Sequence, residues 1–133
     1  MEWHIFIDGA SSGNPGKAGA GIIIFDESGC ELYKESVHLG HMTNNMAEYE
    51  ALMLALKKAS KSAVKNLCVY TDSLLVANQI AGKYRTKNLV LLKYVENARA
   101  IIGYFNSFTL KHIPREKNIL ADKLAKDAVY KKG

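Results

Sequence analysis

The chain has 133 residues, of which 48% are hydrophobic, and this suits one globular domain, residues 1–133, rather than a multidomain protein. No apolar run approaches the roughly 18 residues that span a bilayer, and the amino end MEWHIFIDG is too acidic for a signal peptide. We therefore expect a soluble, cytoplasmic protein. Two cysteines, Cys30 and Cys68, form neither a disulfide framework nor a zinc-ligand pattern.

The net charge of +5 hides a segregation of charge along the chain. Residues 1–56 carry 2 basic and 8 acidic side chains, whereas residues 57–133 carry 16 basic and 5 acidic ones. The basic part suits a polyanionic partner, and the acidic part suits a bound cation. Lys-rich helix surfaces explain the same composition equally well.

The first third of the chain predicts three strands. Residues 3–8 and 20–25 are apolar runs on either side of a Gly-rich stretch, and residues 32–39 show partial apolar and polar alternation. Two consecutive strands joined by a short turn favour antiparallel pairing.

The Gly-rich stretch between the first two strands matches neither common phosphate-binding motif. Ser11 stands where a Walker loop needs Gly, and Gly19 and Gly21 are followed by Ile24 where a dinucleotide fingerprint needs Gly. We interpret the stretch as a flexible turn, whose Asn14 and neighbouring serines can offer hydrogen bonds to a ligand.

The rest of the chain alternates between helices and strands. From Asn45 to about Ser60, apolar residues recur at i, i+3, i+4 and i+7, which predicts an amphipathic helix. Next come a strand over 66–71, helices over 73–81 and 89–102, a strand over 107–113 and a helix over 118–131. This order predicts an α/β fold with a mixed sheet, in which ligands bind beyond the carboxyl ends of the parallel strands.

Four acidic residues stand where such a sheet would place chemistry. Asp8 ends the first strand, Glu48 opens the first long helix, Asp72 ends the fourth strand, and Asp122 lies one turn into the last helix. Singly, each is explained by a turn, a helix cap or an i,i+4 ion pair. Together they would repel one another unless a metal ion neutralised them, and oxygen ligands select Mg²⁺ or Mn²⁺. Two such ions form the usual site for displacement at phosphorus, which suits a nuclease.

Asn44 and Asn45 come immediately before Glu48. Both residues are good helix caps. They can equally bond a nucleotide sugar or base edge, because the Asn side chain offers a donor and an acceptor. The sequence leaves both interpretations open.

Four ordered blocks resemble type 1 ribonuclease H. They are FIDGASSGNPGKAGAG (6–21), TNNMAEYEAL (43–52), YTDS (70–73) and IPREKNILADKLA (113–125), and each contains one of the four carboxylates. The resemblance implies a ribonuclease H-like fold, with a five-stranded mixed sheet flanked by helices. It also implies Mg²⁺-dependent cleavage of the RNA strand of RNA–DNA hybrids, giving 3′-hydroxyl and 5′-phosphate ends. Apart from the hybrid, we infer no obligatory protein partner, and we expect a monomer.

Site residues follow from this resemblance position by position. Asp8, Glu48, Asp72 and Asp122 would be the catalytic ligands of two Mg²⁺ ions, which Mn²⁺ can replace, with Asp8 bridging the ions. The candidate substrate contacts are Ser12, Asn14, Thr43, Asn44 and Asn45. Thr43 matches a phosphate-binding position, and the others suit recognition of the ribose 2′-hydroxyl that separates RNA from DNA.

Three departures from the family pattern bear on activity. Many members carry a His in the loop before the last Asp, whereas residues 113–121 contain none. Three residues of this segment are candidates to replace it: Arg115, Glu116 and Asn118. Residues 82–106 are too short and too apolar for the basic protrusion of many bacterial members, and Leu74 stands where a Gln is frequent.

These departures keep two other functions open. One is a nucleic-acid-binding module without turnover, and the other is a nuclease acting on double-stranded RNA or DNA. Four clustered carboxylates argue against the first, because they weaken phosphate binding unless they hold metal. Asn14 and Asn45 favour a ribose-reading site over the second.

Overall fold

A five-stranded sheet forms the centre of the computed structural model, which describes residues 1–131. The strands are β1 (Glu2–Ser11), β2 (Gly16–Asp26), β3 (Glu31–Met42), β4 (Asn66–Thr71) and β5 (Ser107–His112), in the order β3-β2-β1-β4-β5. β1, β2 and β3 pair antiparallel, whereas β1–β4 and β4–β5 are parallel. The mixed sheet predicted from the order of elements is therefore confirmed.

In the described part of the chain, residues 1–131, four helices and one short 3₁₀ turn accompany the sheet. They are α1 (Asn44–Lys61), α2 (Leu74–Ile80), α3 (Leu89–Ile102), the 3₁₀ turn Arg115–Lys117 and α4 (Ile119–Val129). The predicted helix over 89–102 agrees at both ends, and the other helices differ by one or two residues, which is the usual scatter of helix ends. Within residues 1–131, no helix combines the length and the apolar character that crossing a membrane requires.

α1 and α4 cover opposite faces of the sheet. Asp8 is opposite Gly21, and Gly9 is opposite Ala20, in the pairing of β1 with β2. Residues opposite each other share a face, and neighbours along a strand alternate. A Cβ added at Gly9 would meet the backbone of α1, whereas one added at Gly21 would meet the backbone of α4. The two helices thus approach β1 and β2 from the two sides.

The main hydrophobic core lies between the sheet and α1. The sheet contributes Ile5, Ile7, Ile22 and Ile24, all buried. The predicted apolar stripe of α1 is also buried: Tyr49, Leu52, Met53 and Leu56. Burying a side chain of this size contributes about 1.5–3 kcal/mol, so this interface fixes where the first residues of α1 meet the sheet.

The Gly-rich stretch is not a turn over most of its length. Residues 12–15 form the connection, and β2 begins at Gly16. Gly19 and Gly21 lie inside β2, where an added Cβ would be 2.5 Å from a backbone oxygen of α4. These glycines let α4 pack closely on the sheet, and the interpretation of a flexible turn was wrong for them.

β1 also extends further than the sequence predicted. The prediction ended the strand at Asp8, but Gly9–Ser11 continue to pair with β2. Small residues in this part of both strands gave a weak apolar signal, although they pair normally. Asp8 therefore lies within the strand, not at its end.

Candidate active site

The four acidic side chains singled out by the sequence come together at one edge of the sheet. One carboxylate oxygen from each of Asp8, Glu48 and Asp72 lies within 4.8 Å of the other two. Asp122 lines the same open cleft, which has a volume of about 630 Å³. The cleft is large enough for a ligand of the size that protein pockets usually hold.

The topology explains how residues so distant in sequence meet. β1 and β4 are parallel neighbours, so both run toward the same edge, and Asp72 is the first residue after β4. α1 delivers Glu48 from one side of the sheet, and α4 delivers Asp122 from the other. The cleft thus lies beyond the carboxyl ends of parallel strands, where α/β sheets bind ligands.

Gly9 makes the close approach of α1 possible. An added Cβ at Gly9 would lie 2.3 Å from both the carbonyl oxygen of Ala47 and the backbone nitrogen of Glu48. In return, the Gly9 N–H donates a hydrogen bond of 2.5 Å to Oε1 of Glu48. This contact orients the carboxylate towards Asp8, and sequence reasoning missed it because an Asp-Gly pair usually indicates a turn.

Burial and mutual repulsion raise the pKa of both inner carboxyl groups. Burial, followed by the charges of Glu48 and Asp72 and by contact with Asp122, raises the pKa of Asp8 to about 10. Burial also raises the pKa of Glu48 to about 7, although the Gly9 N–H opposes this shift. The site concentrates negative charge that Arg115 and Lys126, which line the same cleft, offset only in part.

This donor set fits a divalent metal ion. All of its ligand atoms are carboxylate oxygens, which are the ligands that Mg²⁺ and Mn²⁺ prefer. A bound cation would offset the burial and the repulsion that raise the pKa of Asp8 and Glu48, because its charge attracts both carboxylates.

The two outer carboxylates are held by side chains. Asn118 Nδ2 donates to Asp72 Oδ2 at 3.3 Å. Lys126 Nζ lies 3.0 Å from Asp122 Oδ2 on the next turn of α4, so the i,i+4 pair predicted from the sequence is present. Asp72 does not cap α2, because the Ser73 hydroxyl accepts the capping hydrogen bond from the Val76 N–H.

The predicted substrate residues surround the start of α1. Ser12 and Asn44 line the cleft. Oδ1 of Asn14 accepts a 3.1 Å hydrogen bond from the Asn44 N–H, and this bond joins the β1–β2 connection to the helix. Asn45 is exposed beside them, outside the lining of the cleft.

The cap of α1 is Thr43, not an asparagine. The Thr43 hydroxyl accepts a 3.2 Å hydrogen bond from the Met46 N–H. The capping interpretation of Asn44 and Asn45 was therefore wrong, because the helix starts one residue earlier than predicted. The side chains of Asn44 and Asn45 are therefore available for contacts other than capping.

The three candidates for the missing His occupy different environments. Arg115 lines the cleft, and its charge counteracts part of the rise in the pKa of Glu48. Glu116 lines a separate groove together with Phe6 and Phe25. Asn118 is buried, with 1% of its surface exposed, and so differs from a freely moving loop residue.

The sheet order, the helices on both faces and the carboxylate cleft define the fold of the ribonucleases H. The family described as "Reverse transcriptase-like" matches residues 6–128, and the chain belongs to this family. The three departures from the family pattern, in residues 74–121, therefore lie inside the segment that the family model matches.

Comparison with known proteins supports this assignment. The crystal structure of RNase H1 from Halobacterium salinarum superposes with a TM-score of 0.94 at 34% identity, covering 97% of this chain and 98% of that one. The structure of LC11-RNase H1 in complex with an RNA/DNA hybrid gives a TM-score of 0.89 at 37% identity, with 96% of both chains covered.

A longer relative shares the same region. The chain is 37% identical over 130 residues to a bifunctional protein of Mycobacterium tuberculosis, covering 97% of this chain and 36% of the relative. The chain thus spans about a third of the length of the first curated relatives that it matches.

Proposed function

We propose that this protein is a metal-dependent endoribonuclease that hydrolyses the RNA strand of RNA–DNA hybrids and leaves 3′-hydroxyl and 5′-phosphate ends. The observation that carries the proposal is the convergence of Asp8, Glu48 and Asp72 within 4.8 Å, with Asp122 in the same cleft. The similarity to a ribonuclease H solved with a hybrid supports the choice of substrate.

In this mechanism the four carboxylates would hold two Mg²⁺ ions, which Mn²⁺ could replace. When bound, these ions supply the charge that activates water and stabilises the leaving oxygen. Asp8 is the central ligand, because the carboxyl groups of the other three all lie around it. The Gly9 N–H keeps Glu48 in place, so this part of the site is ordered before the substrate arrives.

Recognition of the RNA strand falls to the residues around the start of α1. We assign Ser12, Asn14, Asn44 and Asn45 to the minor groove, where an Asn side chain can bond a ribose 2′-hydroxyl. Thr43 is assigned to a phosphate. The basic residues after residue 56 add affinity for the backbone that does not depend on sequence.

Arg115 is our choice among the three residues proposed to replace the missing His. It lines the carboxylate cleft, whereas Glu116 lines another groove and Asn118 is buried. A guanidinium keeps its charge in proteins. Arg115 would therefore stabilise a negatively charged phosphate and would not carry a proton.

We further propose that the chain works as a single domain over residues 1–133, as a monomer in the cytoplasm, with no obligatory protein partner. The continuous core between the sheet and α1 supports the first point. Elution volume and light scattering of the purified chain test the monomer directly.

The proposed activity is tested by cleavage of an end-labelled RNA–DNA hybrid, with Mg²⁺ and Mn²⁺ titrated separately. We expect cleavage of the RNA strand by the wild type and loss of at least about 100-fold in Asp72→Asn. Near wild-type cleavage by Asp72→Asn would contradict the assigned mechanism.

The same assay on double-stranded RNA and double-stranded DNA separates the alternatives. Equal cleavage of all three duplexes would indicate a nuclease without ribose recognition. Binding of hybrid in gel-shift experiments without cleavage in either metal would indicate a binding module.

A further inference from the structure

Asn118 stands out because its side chain does not do what its position predicts. It immediately precedes α4, where an Asn usually accepts a hydrogen bond from an N–H of the first helical turn. The structure shows no such side-chain cap at α4. Instead the amide is turned inward, with 1% of the residue exposed.

The Asn118 amide joins two elements of the carboxylate site. Nδ2 donates to the carbonyl oxygen of Ile7 at 2.8 Å and to Oδ2 of Asp72 at 3.3 Å. Both partners accept hydrogen bonds, so the nitrogen of the amide must face them, and each of its two protons has one acceptor.

These two contacts fix the relative position of two carboxylates. Ile7 is the residue before Asp8, in the middle of β1. Asp72 is in the connection that follows β4, outside the regular pairing of the sheet. Asn118 therefore ties a residue outside the strands to the backbone beside Asp8.

With its side chain turned inward, Asn118 does not stabilise α4 as a helix cap would. A lost cap costs about 1 kcal/mol. In addition, Oδ1 of Asn118 is buried and has no hydrogen-bond partner among residues 1–131, and such a buried acceptor costs about 1–3 kcal/mol. A purely structural Asn would be expected to cap the helix instead.

We infer that Asn118 is a positioning residue, which holds Asp72 at the distance from Asp8 that binding of a divalent metal requires. The inference rests on the proposed function for the identity of the reaction. Asn118 is then no longer a candidate to replace the missing His, because its role is to position Asp72. Partners that orient metal ligands typically contribute 10–100-fold to metal affinity or activity.

The test compares wild type with Asn118→Ala in the full-length chain. Isothermal titration with Mg²⁺ alone measures the dissociation constant, and steady-state cleavage of the hybrid at saturating Mg²⁺ measures kcat and KM. We expect the dissociation constant for Mg²⁺ to rise about 10-fold and kcat to fall about 10-fold. KM for the hybrid should stay within about twofold, because Asn118 is buried and does not line the cleft.

Asn88→Ala is the matched control. The Asn88 side chain accepts capping hydrogen bonds from the Val90 and Leu91 N–H groups at the start of α3. Its loss lowers stability by about 1 kcal/mol without touching the carboxylate site. We expect the affinity for Mg²⁺ and kcat of this variant to equal those of the wild type.

The possible results test the role of Asn118 separately from the proposed nuclease activity. An affinity for Mg²⁺ within twofold of the wild type in Asn118→Ala, or an equal loss in Asn88→Ala, would overturn the role of Asn118. If the wild type binds Mg²⁺ but cleaves no hybrid, the proposed function fails, while the comparison of affinities still decides the role of Asn118. Should Asn118→Ala not fold, Asn118→Ser, which leaves a smaller space, is measured with the same criteria.

Discussion

The two halves of the carboxylate cleft are built in different ways. The inner pair, Asp8 and Glu48, is 4% and 6% exposed, and the backbone N–H of Gly9 orients Glu48. The outer pair, Asp72 and Asp122, is partly exposed, and the side chains of Asn118 and Lys126 contact it.

Because of this difference, the inner pair is rigid and the outer pair can rearrange. The inner pair cannot move without moving β1 or α1, and its burial raises the pKa of both carboxyl groups. The outer pair depends on side-chain contacts, which cost less to rearrange. Changes to the inner pair should therefore have larger effects on both activity and stability.

The largest expected effect is on catalysis. Asp8→Asn should lower kcat/KM for hybrid cleavage by about 10³-fold, because the central carboxylate loses its charge. Asp122→Asn should lower it by about 10-fold, because Asp122 is partly exposed and lies outside the three carboxylates that converge within 4.8 Å. Equal losses in the two variants would contradict the distinction between the inner and outer pairs.

A methyl group at Gly9 should disrupt the inner pair through the backbone. Gly9→Ala places Cβ 2.2 Å from the carbonyl carbon of Ala47, and we expect a loss of about 3 kcal/mol in the free energy of unfolding by urea. Gly103→Ala is the control, because the nearest atom to its added Cβ among residues 1–131 would be the carbonyl oxygen of Ala100, at 3.7 Å. The control should be neutral or stabilising by about 0.5 kcal/mol.

The pH dependence of stability should reveal the inner pair in metal-free protein. Folding raises the pKa of Glu48 from 4.5 to about 7, so between these pH values the folded state binds more protons than the unfolded state. The contribution of Glu48 to the free energy of unfolding therefore falls as pH rises through that range, by an amount on the order of 3 kcal/mol. The pKa of Asp8, raised from 3.8 to about 10, adds to this decline and continues it above pH 7.

Urea unfolding in EDTA at pH 5, 6, 7 and 8 measures this decline. The variant Glu48→Gln retains an oxygen for the Gly9 N–H but cannot ionise, so its stability should fall less steeply between pH 5 and 7. A slope identical to that of the wild type would show that Glu48 does not carry the effect.

The smallest expected effect concerns the outer pair. Lys126 and Asp122 form an i,i+4 pair, but the Lys126 side chain is 59% exposed. Lys126→Ala should change the unfolding free energy by no more than about 0.5 kcal/mol. Lys123→Ala, on the same helix, provides the reference for loss of an exposed lysine. A difference above about 1 kcal/mol in the unfolding free energies of the two variants would show that the outer pair is held as firmly as the inner pair.

Strong periodicity made most elements predictable. α1 was predicted closely because its apolar residues repeat with the helical period, and α3 because Gly103 marks its end; neither signal needs knowledge of the rest of the fold. The end of β1 and the start of β2 were predicted poorly, because Gly and Ala in a strand give little apolar signal. Their role is to leave space for helices that arrive from distant parts of the chain.

Sequence alone determined the order of the elements, the four carboxylates and their resemblance to a family of nucleases. These features depend on local periodicity and residue type. The tertiary structure decided which contacts orient the carboxylates: the Gly9 N–H on Glu48 and the Asn118 amide on Asp72. Each joins residues that are 39 or 46 positions apart. No local pattern specifies such a contact, because it exists only once the helices have packed on the sheet.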